Sequence, residues 1–123
     1  RNNLLIGRAD DSEDDLWAAL GKAQLDGHVK SLPAGLDTIV GEAGRTLSAG
    51  QARRMCLARA LLSNAPVLLL DEPTNALDRD TEVAFFKVLA SASEGRTVIM
   101  ATHANIPDGT VDRVLRLEGG RLD

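Results

Sequence analysis

Four consecutive apolar residues, Val67-Leu68-Leu69-Leu70, stand between Pro66 and Pro73 and end on two adjacent acids, Asp71 and Glu72. A run this short, fenced by prolines, reads as a strand buried on both faces of a parallel sheet. In such sheets ligands bind at the carboxyl ends of the strands, which is where the two acids fall. An aspartate there can hold Mg²⁺ directly or through water. A glutamate beside it can polarise a water for attack on a phosphoryl group. Acids merely solvated in a strand-end loop are the competing reading.

The residues after this strand continue an α/β pattern. Asp78 to about Ser93 forms an amphipathic helix with Val83, Phe86 and Leu89 or Ala90 inward, ended by Gly95. Thr97 to Ala101 reads as a second buried strand and Val111 to Leu117 as a third, with Gly119-Gly120 turning into a short last strand. Strand–helix–strand order implies a right-handed parallel crossover. His103, just past the second strand, is a candidate donor to a transferring phosphate if the strands are neighbours. A lone histidine is more often structural.

The first half reads as helical. Ser12 can cap a helix whose first turn carries Glu13, Asp14 and Asp15, with Leu16, Trp17 and Leu20 on one face. Asp26-Gly27 leads to a short turn carrying Val29 and Leu32. Pro33-Ala34-Gly35 breaks the pattern, and residues 37–45 read as loop. Ser48 then opens a helix to about Leu62, with Ser48 and Gln51 as a Ser-x-x-Gln capping box. Met55, Ala58 and Leu62 share a face, with Leu57 and Leu61 beside it. A helix N-terminus attracts phosphate, and the small residues Ser48, Ala49 and Gly50 let an anion approach the backbone. A plain capping box is the alternative. Cys56 reads as a small buried residue, Arg53 and Arg54 as a solvated or acid-paired face from which one could approach nucleotide across an interface, and His28 and Trp17 as structural.

Composition removes several classes of function. With 123 residues and a net charge of −4, the chain has no basic field for nucleic acid or an anionic membrane. Its aromatic residues are Trp17, Phe85 and Phe86, too few for a base-stacking platform. One cysteine cannot form an internal disulfide. No apolar run approaches the ~18 residues of a membrane-spanning helix, and no signal peptide opens the sequence.

Taken together and in order, these motifs resemble the ABC ATPase family. Leu47-Ser48-Ala49-Gly50-Gln51 resembles the signature sequence, with alanine at the first of its two usual glycines. Val67 to Asp71 resembles Walker B, Asn75-Ala76-Leu77-Asp78 the D-loop, and His103 the switch histidine. Leu32-Pro33-Ala34-Gly35-Leu36-Asp37-Thr38 and Val40-Gly41-Glu42-Ala43-Gly44 resemble the corresponding stretch of exporter-type members, as does Asn3-Leu4-Leu5-Ile6-Gly7. Within exporters, the bacterial cysteine/glutathione subunits are similar.

The resemblance implies a partial P-loop NTPase fold. Residues 1–64 would form a helical subdomain, and 65–123 the C-terminal part of the RecA-like core, with a mainly parallel sheet and flanking helices. It implies ATP and Mg²⁺ as cofactors, Glu72 and His103 as catalytic residues, and Asp71 as the Mg²⁺ ligand. Ser48, Ala49, Gly50 and Gln51 would meet ATP held by a second ABC ATPase domain, and Asp78 would lie in the D-loop at that interface. A transmembrane domain would be fused upstream, met by the loop of Glu42, at the cytoplasmic face of a bacterial inner membrane. No Gly-x-x-x-x-Gly-Lys-Ser/Thr loop is present; the resemblance places that loop, the adenine-stacking aromatic and the Q-loop before Arg1. The isolated chain is therefore expected to be inactive as an ATPase and to self-associate through unpaired sheet. A chromosome-maintenance or repair ATPase lobe is the alternative, disfavoured by the acidic balance and the lack of heptads.

Overall fold

The three long helices all begin on side-chain caps. In the computed structural model, which describes residues 1–6, 10–41 and 47–122, α1 (Glu13–Lys22) starts on Ser12, whose hydroxyl accepts from the Asp15 N–H while the Asp15 carboxylate accepts from the Ser12 N–H. The next short helix, α2 (Asp26–Ser31), has no side-chain cap and replaces the expected turn; a single 3₁₀ turn follows at Gly35–Asp37. Helix α3 (Ala49–Leu62) starts on the Ser48–Gln51 capping box. After strand β1 (Val67–Asp71), helix α4 (Arg79–Ala92) starts on Asp78, and strand β2 (Thr97–Ala101) follows. A two-residue hairpin, β3 (Leu117–Glu118) and β4 (Arg121–Leu122), closes the described chain.

Helix α3 is apolar on two sides because it serves two cores. Ala58 and Leu62 pack with Leu4, Leu16, Leu20 and Leu25. Leu57 and Leu61 pack with Leu68, Phe85, Phe86 and Leu89. Burying such side chains stabilises by about 1.5–3 kcal/mol each before entropy is counted, so α3 ties the N-terminal helices to the sheet half. Arg96 adds a polar tie between α3 and the entry to β1. Its guanidinium donates to the Leu61 carbonyl at 2.8 Å and the Ala65 carbonyl at 3.2 Å.

Strands β1 and β2 pair in parallel from Val67↔Thr97 to Asp71↔Ala101, with α4 as the crossover. Side chains alternate across a strand. Leu68, Leu70, Val98 and Met100 therefore pack together on α3 and α4. The opposite face is open: Val67 is 45% exposed, Leu69 75% and Ile99 58%. Burial on both faces is thus corrected to burial on one, because helices cover only one side of the described sheet.

Further expectations change. Val111–Leu117 forms no third strand. Of it only Leu117 is in a strand, and that strand pairs with β4 rather than with β2. An extended segment becomes a strand only when a neighbour takes its hydrogen bonds, and among the described residues 111–116 have none. In α4, Phe85 and Val88 are buried alongside Phe86 and Leu89, whereas Ala90 is exposed. Cys56, expected inside, is exposed on α3. Glu42 and residues 43–46 lie outside the described residues.

Candidate functional site

The parallel ladder runs one residue past β1, and that extra residue is Glu72. Its N–H donates to the Ala101 carbonyl at 2.8 Å, where the backbone swings into the left-handed region with φ +43°. Ala76 does the same at φ +64°. Non-glycine residues held there cost about 1–3 kcal/mol and collect at functional sites. Local hydrogen bonds support the bend: Asn75 N–H donates to Glu72 O at 3.1 Å and Leu77 N–H to Thr74 O at 3.0 Å.

Side chains staple the bend to its surroundings. The buried Thr74 hydroxyl donates to Glu82 Oε2 at 3.1 Å. Arg79 donates to Glu82 Oε1 at 2.7 Å and to the Asn105 carbonyl at 2.9 Å, joining α4 to the segment after β2.

The parallel pairing brings Glu72 and His103 together at the carboxyl edge. The His103 N–H donates to Glu72 Oε2, and the ring Nε2 stands 3.4 Å from Glu72 Oε1. Glu72 is 34% exposed and His103 98%, so the pair opens to solvent. A carboxylate and an imidazole so placed can accept and return a proton to one reacting group. Asp71, exposed at the end of β1, lies by alternation on the open face with Leu69.

Among the described residues, no three His, Cys, Asp or Glu side chains gather as metal ligands. Mg²⁺ keeps several waters and takes one or two carboxylates beside the phosphates of a substrate. A single strand-end carboxylate such as Asp71 fits that role and not a self-sufficient metal site.

Ser48, Ala49, Gly50 and Gln51 form the cap and first turn of α3. The Ser48 hydroxyl accepts from the Gln51 N–H at 3.1 Å, and Gln51 Oε1 from the Ser48 N–H at 2.9 Å. The Gln51 amide nitrogen lies 3.4 Å from His28 Nδ1. Ser48 and Ala49 are exposed, while Gly50 is buried. Among the described residues no hydrogen bond or ion pair joins these four to Asp71, Glu72 or His103. Asp78 is occupied as the α4 cap, accepting from the Thr81 N–H at 2.9 Å and Oγ1 at 2.8 Å, and these bonds hold its carboxyl below the usual aspartate range.

Sequence reasoning missed the arginines. Arg53 donates to the Asn75 carbonyl at 3.3 Å and Arg54 to the Gln24 carbonyl at 3.2 Å, neither to an acid. Their partners lie in distant loops, so helical periodicity carries no signal for them.

Residues 2–75 match the family described as ABC transporter. The chain belongs to that family. It is 44% identical over 94% of its length to an uncharacterised ABC transporter ATP-binding protein, YwjA, of Bacillus subtilis. It is 42% identical over 99% of its length to the mycobactin import ATP-binding/permease protein IrtB of Mycolicibacterium thermoresistibile. To the glutathione/L-cysteine transport system ATP-binding/permease protein CydC of Bacillus subtilis it is 41% identical over 98% of its length. The chain spans about a fifth of the length of these relatives. Among the described residues no helix is long and apolar enough to cross a membrane.

Proposed function

We propose that this chain is the signature and Walker B portion of the ATPase domain of an exporter-type bacterial ABC transporter. The observation that supports this most is Glu72 against His103 at the ends of two in-register parallel strands. Glu72 polarises the attacking water, and His103 donates toward the transferring phosphate. Asp71 would hold Mg²⁺, which would supply positive charge to offset that on the phosphates. Ser48, Ala49, Gly50 and Gln51 face the nucleotide held by a second ABC ATPase domain, closing head to tail, with Asp78 in the D-loop between them. A fused transmembrane domain at the cytoplasmic face of the inner membrane turns closure into transport. Residues 1–64 act as the helical subdomain and 65–123 as part of the catalytic core. The glycine-rich loop with its lysine is not in this sequence, so the 123-residue chain alone is inactive.

Complementation tests the head-to-tail arrangement. Full-length Glu72→Gln and Ser48→Arg variants, each inactive alone, regain part of the Mg²⁺-dependent ATP turnover when assembled as a mixed dimer, because one of its two sites then has no substitution. A mixed dimer no more active than its parents overturns the arrangement in trans.

A further inference from the structure

Gly50 is buried in the first turn of α3 because another helix needs the space. A Cβ added at Gly50 would stand 2.6 Å from Thr81 Cγ2, far inside the ~3.5–4.0 Å of carbon–carbon contact. Thr81 is not free to turn its methyl away. Its Oγ1 donates to Asp78 Oδ2 at 2.8 Å and its N–H to Asp78 Oδ1 at 2.9 Å, and a β-branched side chain in a helix has few χ1 choices. One turn along α3, Arg53 Nη2 donates to the Asn75 carbonyl at 3.3 Å. Gly50 and Arg53 therefore meet opposite ends of the same stretch, residues 75–81. Anion approach alone explains neither the burial of Gly50 nor a guanidinium at position 53.

We infer that Gly50 and Arg53 are positioning residues. They lock the turn that begins at Ser48 to the stretch 75–81, so that both reach the partner domain as one rigid piece. The inference rests on the proposed reading of Ser48–Gln51 as the segment that meets the partner's nucleotide.

The test uses the full-length protein and two readouts, thermal midpoint and the split between KM for ATP and kcat. Thr81→Ser removes Cγ2 but keeps the hydroxyl cap, and is expected to leave both readouts near wild type. Gly50→Ala lowers the midpoint by several degrees, and adding Thr81→Ser recovers most of that loss. A Gly50→Ala penalty equally large in the Thr81→Ser background, or a double variant that also fails to fold, overturns the contact. Arg53→Ala raises KM several-fold with kcat nearly unchanged, while Arg53→Lys, still able to donate to the carbonyl, stays near wild type. An unchanged KM in Arg53→Ala, or a fall in kcat alone, overturns the positioning role. Ser48→Ala with unaltered KM would instead sink the nucleotide-facing reading and leave the coupling between 50 and 81 standing.

Discussion

Both oxygens of the Glu72 carboxylate are turned toward His103, one to its ring and one to its backbone N–H, the ring contact at 3.4 Å. Removing the charge while keeping the shape separates chemistry from architecture. In the full-length protein, Glu72→Gln should retain ATP binding while turnover falls by ~10²–10⁴, the usual loss on removing a general base. Near wild-type turnover would assign the base elsewhere.

Ala76 holds φ +64° without being glycine. Relief of a strain of about 1–3 kcal/mol, less the added freedom of unfolded glycine, should make Ala76→Gly more stable by about 0.5–1 kcal/mol. A thermal midpoint that falls in this variant would show that the alanine methyl makes contacts outweighing the strain.

Arg96 closes the end of α3 through two carbonyls. Arg96→Ala should cost about 2 kcal/mol, since charged donors make the stronger hydrogen bonds and the carbonyls lose their partner. The loss should appear as a lower denaturation midpoint, and Arg96→Lys should recover only part of it because one ammonium does not reproduce the fork.

Asp78 supplies a pH-dependent cap. Thr81 hydrogen bonds favour its charged form and depress the folded-state value below that of the unfolded chain. The cap therefore contributes stability above the ordinary aspartate value of about 3.9, and that contribution is lost as pH falls through the lower folded value. Melting followed by circular dichroism from pH 5 down to 3 should show a steeper loss in wild type than in Asp78→Asn. Parallel curves would remove Asp78 from the acid response.

The open face of the sheet should make the 123-residue chain self-associate, since Leu69 and Ile99 present apolar surface to water. Light scattering at rising concentration should report oligomers that Leu69→Lys reduces. A clean monomer at high concentration would contradict this.

Much of the site was legible because its positions follow local rules. Ser12, Ser48 and Asp78 announce helix starts through bonds made within three residues, and Val67–Leu70 announces a strand by composition alone. The neighbourhood of Glu72 and His103 follows from the adjacency of the two strands. Contacts decided by distant loops were not legible. Arg53 and Arg54 reach carbonyls 22 and 30 positions away, and no periodicity encodes such reach. Leu69 and Val114 read as buried because apolar runs usually are, yet burial needs a covering layer that a residue's own neighbours in sequence do not specify.

Helix α3 has a consequence for how the molecule comes apart. A helix that lines two cores cannot leave one without opening the other, so the N-terminal helices and the β1–α4–β2 unit should lose structure in one step rather than two. Its amide protons at Leu57, Ala58, Leu61 and Leu62 should then be among the slowest to exchange with solvent deuterium, opening only when the whole chain does.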